Sequence, residues 1–453
     1  MIILMLIITL SSVTADVGYF WHVTDFHWDH TYMSQDLSCN DVVETYGMYG
    51  DYWCDAPWKL VNDSVEAMKA LKPDPDFILW TGDNTPHTSD ENVNFEIHDA
   101  ILGNITNLLK DVFTTVPVYA TLGNHDYFPH NQFPETGNLL YNRSYERWKS
   151  WIGEESMDTF LRGAYYTLKT ATGLRIVGLN TNLYYTSNKQ TGSTEDPAGQ
   201  LVWLEKVLEA AKVSNEKVLV TAHVPPGVNP TTGRVPWMYP QYNTKMNSIF
   251  MNYTEQIIGM HFGHEHSDNF RVYHDDAGEG VIAQFCAPSV TPWRYKFAGR
   301  TGPAHNPSFR LLKYDRSNGN LLDFTQYYMD LPEVNRNNQS EWKIEYNATT
   351  AYGLVDLSPS SMAQLVTRMK TQKNQEFQSF RKFWTVSVSE NYEELCDEKC
   401  HAGFYCNSRH LEKDSFENCF NGLTTSAAPF SPNYNGLTSS LLVICSTFVT
   451  QFV

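Results

Sequence analysis

Five short polar segments of this 453-residue chain carry side chains that bind metal ions, and each segment follows an apolar run. In chain order the candidate ligands are Asp25 and His27, then Asp83, Asn124, His223, and finally His264 and His266. Imidazole nitrogens combined with carboxylate and amide oxygens suit zinc and similar first-row ions. A single Gly-Asp or Gly-His pair is usually only a turn. All five segments together predict one site that holds two metal ions.

The spacing within the segments supports this prediction. Asp25 and His27 are two residues apart, so in an extended chain their side chains would point the same way. The same holds for His264 and His266. The carboxylate of Asp83 can bridge two cations with its two oxygens. Glycines beside these residues allow the backbone to turn sharply and approach the ions.

The elements that must position these side chains are strands alternating with helices. The apolar runs are short, rich in Val and Ile, and bounded by Gly or Pro, which is typical of buried strands. Apolar residues recur at helical spacing in 57–72, 96–113 and 195–213. This alternation predicts an α/β fold whose ligands lie beyond the carboxyl ends of the strands. From about residue 270 the pattern indicates antiparallel strands joined by turns, and 358–420 is predicted to be helical.

Composition restricts the class of partner. The formal net charge of -18 argues against binding a nucleic-acid polymer, although a local cation can still hold a small anionic ligand. The 12 Trp, 26 Tyr and 24 Phe indicate a folded protein.

Both ends of the chain indicate export to the cell surface. Residues 1–15 are typical of a signal peptide, with a buried first strand as the alternative. Small residues near 426–428, a polar spacer and an apolar tail at 437–453 match a GPI-attachment signal, with a transmembrane tail as the alternative. Six sequons support a secreted glycoprotein: Asn62, Asn104, Asn142, Asn252, Asn338 and Asn347.

The eight cysteines fit an oxidising compartment. Cys39 and Cys54 bracket one loop and predict one bridge, and a C-terminal cluster predicts two local bridges among Cys396, Cys400, Cys406 and Cys419. A zinc knot is the alternative for that cluster, but its spacing is irregular. We expect Cys286 to be a buried structural thiol.

The motifs "TDFHWDH", "TGDNTPH", "GNHD" and "FGHEHSD" make the sequence resemble the calcineurin-like metallophosphoesterases. Within that superfamily it is similar to the acid sphingomyelinase-like phosphodiesterases, in particular the GPI-anchored type, over residues 16–420. The resemblance implies a β-sandwich flanked by helices, with a small disulfide-bonded helical subdomain at the C-terminus. We therefore expect a signal peptide at 1–15, a catalytic domain at 16–340, the helical subdomain at 341–420, and a spacer with the GPI signal at 421–453.

The resemblance also implies a ligand set. One metal would be held by Asp25, His27 and His266, and the second by Asn124, His223 and His264. Asp83 would bridge them together with a water or hydroxide, which attacks phosphorus in line. Purple acid phosphatases have a tyrosine ligand three residues after the bridging aspartate, where this chain has Pro86, so two Zn²⁺ ions are preferred.

Two histidines are expected to assist beside the phosphate, as the matching positions of the family do. His125 follows Asn124, and His87 lies four residues after Asp83. Either could stabilise the transition state or act as an acid, because the pKa of histidine lies near working pH. For His87, a solvated loop position is the alternative. Asp126 is expected to orient His125, and Glu265 to face away from the metals.

The resemblance suggests a phosphodiesterase acting on small, nucleotide-type phosphodiesters or pyrophosphates. Aromatic residues in 182–188 and 234–243 are candidates for stacking on a base, or they only pack the loops. The alternatives are a catalytically weak protein that modulates lipids or receptors, a sphingomyelin phosphodiesterase, and a phosphomonoesterase. We expect a monomer tethered to the outer membrane leaflet.

Overall fold

The computed structural model describes residues 16–35, 37–41, 43, 46–229, 235–297, 300–388 and 396–425. The predicted signal peptide at 1–15 and the apolar tail within 426–453 lie outside the described residues. The last described helix extends past residue 421, where the spacer was predicted to begin, and ends at Thr425.

The first of two six-stranded sheets contains the N-terminal strands. Its strands are β1 (Val17–Val23), β2 (Phe77–Trp80), β3 (Val118–Ala120), β12 (Ser308–Asp315), β13 (Leu321–Tyr328) and β14 (Lys343–Asn347), in the spatial order β14-β13-β12-β1-β2-β3. β1, β2 and β3 are parallel, whereas β12, β13 and β14 join as antiparallel neighbours.

The second sheet has the order β4-β5-β6-β7-β9-β8. Its strands are β4 (Tyr166–Lys169), β5 (Arg175–Gly178), β6 (Val218–Thr221), β7 (Ile257–Phe262), β8 (Asn269–His274) and β9 (Gly280–Cys286). The prediction that strands after residue 270 are antiparallel is confirmed for the β8–β9 pair and for β12, while the second neighbour of β9 is β7, to which it runs parallel. A short ribbon of β10 (Lys296–Phe297) and β11 (Arg300–Thr301) stands apart.

The two sheets face each other across an aromatic core, as the resemblance implied. Phe20 of β1 stacks on Phe77 of β2 and meets His261 of β7 edge-on, with ring centroids 4.6 and 5.5 Å apart. Phe285 of β9 meets Phe324 of β13 in the same way. Period-2 side chains from both sheets therefore fill one core, and the loops after the parallel strands of both sheets converge at one end of the sandwich.

Helices flank the sheets. Those of the first two hundred residues are α1 (Trp58–Leu71), α2 (Phe95–Val112), α3 (Leu139–Ile152), α4 (Met157–Gly163) and α5 (Gln200–Val213), and α6 (Pro240–Met251) follows β6. The predicted helices are α1, α2 and α5. The side chains of Asn94 and Asn138 cap α2 and α3 by accepting from Ile97 and Tyr141 N–H groups.

The C-terminal region is helical and disulfide-bonded, as expected. It contains α7 (Leu331–Asn337), α8 (Ala348–Tyr352), α9 (Pro359–Met369), α10 (Gln375–Trp384), α11 (Glu398–Arg409) and α12 (Lys413–Thr425). β14 lies after the predicted domain boundary at 340 and pairs with β13, while the boundary itself stays a prediction. Phe270 of β8 packs edge-on against Phe380 of α10, which seats these helices on the edge of the second sheet.

The cysteines pair as one loop bridge and two local bridges. The disulfides are Cys39–Cys54, Cys396–Cys400 and Cys406–Cys419, while Cys286 is a buried thiol. Of the six sequon asparagines, Asn104, Asn142, Asn252 and Asn338 are exposed and Asn62 and Asn347 half-buried, so glycosylation stays a prediction. In the described part of the chain, we find no helix with the length and apolar character to cross a bilayer.

The core between the sheets predicts a stability test. Phe20 is fully buried, so Phe20→Ala should lower the free energy of unfolding by about 3–5 kcal/mol, because the ring contacts and a cavity term are both lost. Urea unfolding followed by tryptophan fluorescence measures this. Val213→Ala, at a position that is 79% exposed, is the control and should stay within about 0.5 kcal/mol of the parent. An equal effect of the two substitutions would contradict the assigned core.

Candidate metal centre

Every predicted metal ligand lies on a loop just after a parallel strand. Asp25 and His27 follow β1, Asp83 follows β2 and Asn124 follows β3. In the second sheet, His223 follows β6, and His264 and His266 follow β7. The Asp25 N–H donates to the Gly82 carbonyl, and the Gly263 N–H donates to the His223 carbonyl, so neighbouring loops of each sheet are joined.

One group of ligand atoms gathers around Asp25. Its Oδ1 lies 3.7 Å from His27 Nε2 and 3.4 Å from His266 Nε2, and the two imidazole nitrogens are 3.2 Å apart. The second group gathers around Asn124, whose Oδ1 lies 3.0 Å from His223 Nε2 and 2.8 Å from His264 Nδ1. The structure thus brings six of the seven predicted ligands into two groups.

Asp83 joins the two groups through one oxygen. Its Oδ2 lies 3.5 Å from His27 Nε2 and 3.0 Å from His223 Nε2. Its Oδ1 instead accepts the backbone N–H of His125 at 2.7 Å. An oxygen that accepts one N–H keeps a lone pair for a metal ion, so bridging through both oxygens of Asp83 stays a prediction.

When the histidine rings are neutral, the contacts within each group have no hydrogen between the two atoms. His27 Nδ1 donates to the Thr85 carbonyl at 2.7 Å, and His223 Nδ1 donates to the Thr81 carbonyl at 2.6 Å, so in each neutral ring Nε2 carries a lone pair. These lone pairs face a carboxylate, an amide oxygen and another imidazole. Among the described residues, buried Asp25 Oδ1 has no hydrogen-bond partner. Converging acceptors of this kind need cations, so the residues fit two metal ions.

The electrostatics of the centre favour positive charge. Burial would raise the pKa of Asp25, but the neighbouring imidazoles of His266 and His27 hold it well below its ordinary value. Burial would lower the pKa of His27 and His223, yet the adjacent carboxylates raise both to about 9. Protons and metal ions compete for the same nitrogens, so metal binding will release protons.

The backbone of the centre is strained. Asp25, His27, Asp83, His264 and His266 have φ angles of 52°, 38°, 56°, 70° and 55°. The left-handed region costs residues other than glycine about 1–3 kcal/mol each and concentrates at functional sites. These residues are therefore not in the extended conformation expected from the sequence. Asp25 and His27 still lie in one ligand group, whereas His264 and His266 lie in different groups.

Asp126 has a different role from the one predicted. Its carboxylate accepts the backbone N–H groups of Gly123, Asp83 and Asn84 at 2.8, 3.1 and 2.8 Å, and it does not contact the His125 ring. It ties together the loops after β2 and β3. No side chain fits between these loops, because a Cβ on Gly123 would lie 2.2 Å from the Asp83 nitrogen.

His125 and His87 lie side by side at the centre. Their ring centroids are 4.4 Å apart, and those of His27 lie 5.1 and 4.0 Å from them. His87 is no solvated loop residue. It stacks on Trp293 at 3.7 Å, and the carboxylate of Asp55 accepts its backbone N–H at 2.6 Å and its Nδ1–H at 3.0 Å.

Sequence reasoning missed Asp55 and Trp293. The one signal for Asp55 was its place directly after Cys54, at the end of the bridged loop. Nothing in the local sequence of Trp293 separates it from the other eleven tryptophans.

The aromatic loops are packed. Tyr185 and Trp237 are 1% and 6% exposed, and both rings lie edge-on to His264 at 4.9 and 4.4 Å. Both rings pack against the predicted metal ligand His264 and leave no exposed face on which a base could stack. This favours the alternative that these aromatic residues only pack the loops. Glu265 turns away from the centre, as expected, to accept from Arg271 and Trp237 at 2.5 and 2.7 Å.

Five other histidines belong to neither ligand group. His22 and His261 are buried in the core between the sheets, and His30 is exposed. His130 is held by Asp90, and His98 packs beside it with ring centroids 4.9 Å apart.

Comparison with known proteins follows the same division of the chain. The calcineurin-like phosphoesterase family model matches residues 18–268, and the acid sphingomyelin phosphodiesterase C-terminal region matches residues 279–426. Among solved structures, a dimetal phosphatase from Danio rerio aligns with a TM-score of 0.42 and 14% identity, over 68% of this chain and 95% of that chain.

Two relatives match nearly the whole chain. Acid sphingomyelinase-like phosphodiesterase 3b from Homo sapiens is 39% identical over 95% of this chain and 96% of that protein. The cyclic GMP-AMP phosphodiesterase SMPDL3A from Bos taurus is 36% identical over 89% of this chain and 91% of that protein. With one family model over the metal centre and another over the C-terminal helices, the chain belongs to the acid sphingomyelinase-like phosphodiesterases within the calcineurin-like phosphoesterases, and it is a metal-dependent phosphodiester hydrolase.

Proposed function

We propose that this protein is a cell-surface dizinc phosphodiesterase that cleaves phosphodiester or pyrophosphate bonds of small, nucleotide-type substrates. The observation that carries the proposal is the position of Asp83 Oδ2 between two groups of acceptor atoms. Asp25, His27 and His266 would hold one ion, and Asn124, His223 and His264 the other. The nitrogen-rich donor set, with Pro86 in place of a tyrosine ligand, favours zinc.

The chain's own residues prepare the centre for phosphate. When bound, the two divalent ions supply Lewis acidity to a phosphoryl oxygen and a hydroxide at neutral pH. The Asn124 side chain is oriented by a hydrogen bond from its Nδ2 to Asn131 Oδ1 at 2.9 Å. This leaves Oδ1 of Asn124 to bind the ion. The Thr81 and Thr85 carbonyls fix His223 and His27.

His125 and His87 would act on the substrate. Both rings lie beside the ligand His27, and the loop of His125 is fixed by the bond from its backbone N–H to Asp83. Imidazoles at this distance can hydrogen-bond a non-bridging oxygen or deliver a proton to the leaving oxygen.

The proposed substrate class rests on the relatives and on charge. One group of relatives is named for cyclic GMP-AMP hydrolysis, which supports a nucleotide-type diester. Other relatives are named for sphingomyelin. A substrate panel must therefore compare nucleotide-type diesters with a lipid diester. The net charge of -18 opposes long polyanions and leaves small anions as the accessible class.

The proposed location rests on the sequence. The signal-peptide pattern at 1–15, six sequons with exposed or half-buried asparagines, and an apolar tail support secretion followed by GPI anchoring. The proposed monomer state is a separate expectation. Release of the protein from intact cells by a phosphatidylinositol-specific phospholipase tests the anchor, and retention would favour a transmembrane tail.

Metal content is the first prediction. Purified protein should contain about two zinc ions per chain, and Asp83→Ala should reduce this to about one or fewer because the shared oxygen is lost. Alanine is used because asparagine at this position would create a sequon with Thr85. Elemental analysis measures the content. Asp63→Asn, which alters a carboxylate bound to Trp342 away from the centre, should keep both ions. Full zinc content in Asp83→Ala would contradict the shared ligand.

Turnover is the second prediction. His125→Ala should keep its zinc but lose about 10²–10⁴-fold in kcat on bis(p-nitrophenyl) phosphate, because a group beside the phosphate is removed. His30→Ala, at an exposed position, should behave like the parent protein. Parent activity in zinc-loaded His125→Ala would remove His125 from the mechanism. An inert zinc-loaded parent would favour the binding-protein alternative, and preference for p-nitrophenyl phosphate would favour a monoesterase.

A further inference from the structure

Asp55 is a buried carboxylate beside the metal centre that belongs to neither ligand group. It is fully buried and follows Cys54 of the first disulfide. Its Oδ2 accepts the backbone N–H of His87 at 2.6 Å, and its Oδ1 accepts Nδ1–H of the same residue at 3.0 Å and the hydroxyl of Thr291 at 3.1 Å. A buried charge is costly unless hydrogen bonds compensate it, so this one is committed to His87 and Thr291.

The His87 ring is also fixed through its face. The indole of Trp293 stacks on it with ring centroids 3.7 Å apart and planes within 3°. The indole is itself anchored, because its Nε1 donates to the Ser38 carbonyl at 3.1 Å. The hydrogen bond from Nδ1 to Asp55 and the stacking on Trp293 together fix the orientation of the His87 ring.

The two supports of His87 are joined to each other. The Asp55 N–H donates to the Ser38 hydroxyl at 3.0 Å, and the Ser38 hydroxyl donates to Asp29 Oδ2 at 2.7 Å. Cys39 follows Ser38 and Cys54 precedes Asp55, so their disulfide closes the same loop. The bridge, the carboxylate and the indole anchor therefore form one unit, which we call the His87 clamp: Ser38, Cys39, Cys54, Asp55 and Trp293.

The clamp directs the second ring nitrogen to the centre. With Nδ1 bound to Asp55, Nε2 is the nitrogen left for other contacts. The ring lies 4.0 Å from that of His27, 4.4 Å from that of His125 and 5.3 Å from that of His266. His87 also lies close enough to His27 and His266 to be considered as a further metal ligand.

We propose that Asp55 is a positioning residue that holds the His87 ring so that Nε2 contacts the oxygens of the substrate phosphate. This inference rests on the proposed function, in which His87 acts beside the phosphate. Asp55 touches neither substrate nor metal in this account and acts only through His87. The Cys39–Cys54 bridge contributes by fixing the chain on both sides of the clamp.

A double-mutant cycle tests the inference. Asp55→Ala should retain about two zinc ions per chain and lose about 10–100-fold in kcat with KM little changed, as is typical when a support of an active-site histidine is removed. In a His87→Ala background, Asp55→Ala should cause no further loss, because residues that act as a unit are not additive. Asp55→Asn, which keeps acceptor oxygen for one of the two bonds, should recover part of the activity. Asp63→Asn is the carboxylate control and should match the parent.

Other outcomes overturn the inference or the function separately. An equal loss from Asp55→Ala in both backgrounds would show that Asp55 acts on the fold, and loss of zinc in Asp55→Ala or His87→Ala would make His87 a ligand. Parent activity in Asp55→Ala with an inactive His87→Ala would reject the inference alone. Parent activity in zinc-loaded His87→Ala would reject the proposed role of His87. If Asp55→Ala does not accumulate, Trp293→Leu tests the same clamp from the ring face and should show the same lack of additivity with His87→Ala.

Discussion

The structure depends on one cluster of buried acceptor atoms whose negative charge must be neutralised by metal ions or by protons on the histidines. Asp83 Oδ2 lies 3.5 Å from His27 Nε2 and 3.0 Å from His223 Nε2, and Asp25 Oδ1 lies 3.7 Å from His27 Nε2, although none of these atoms carries a hydrogen when the rings are neutral. The five left-handed ligand residues add backbone strain of about 1–3 kcal/mol each. The rest of the fold must hold this cluster in place against its free-energy cost. Metal binding would offset part of that cost and so stabilise the folded protein.

The surroundings are the ends of two sheets. Parallel strands β1, β2 and β3 deliver Asp25, His27, Asp83 and Asn124, and β6 and β7 deliver the histidines, so neither sheet completes the centre alone. Three sets of hydrogen bonds fix the positions of the ligand loops relative to one another. Asp126 ties the loops after β2 and β3, Asp83 Oδ1 holds the His125 backbone, and the His264 N–H donates to Asp25 Oδ2 across the sheets at 3.2 Å. The packing of the two sheets, to which Phe20 contributes, therefore sets the distances between the metal ligands at the strand ends.

Much of this arrangement could be predicted from the sequence, for a physical reason. A buried strand that ends in Gly-Asp or Gly-Asn-His leaves a local signal, because polar side chains there contradict the strand's own preference. The seven ligand positions and the main strands follow from such signals. Helices α1, α2 and α5 follow from apolar residues at helical spacing. The roles of the residues at these positions rest on the family resemblance and on the geometry together.

What the sequence did not reveal depends on distant contacts. The partner of His87 is Asp55, which lies thirty-two positions earlier in the chain, and its stacking partner Trp293 comes from beyond β9. Asp126 was assigned to the wrong partner because neighbours in sequence were assumed to be neighbours in space. The parallel pairing of β9 with β7 was missed for the same reason, since β8 intervenes in sequence but not in the sheet.

Anomalous diffraction at the zinc absorption edge, from crystals of the zinc-loaded protein, would locate the ions directly. If two ions share Asp83 Oδ2, there will be two anomalous peaks, one among Asp25, His27 and His266 and the other among Asn124, His223 and His264, each about 2.0–2.2 Å from that oxygen. A single peak, or two peaks that do not share that oxygen, would contradict the shared ligand.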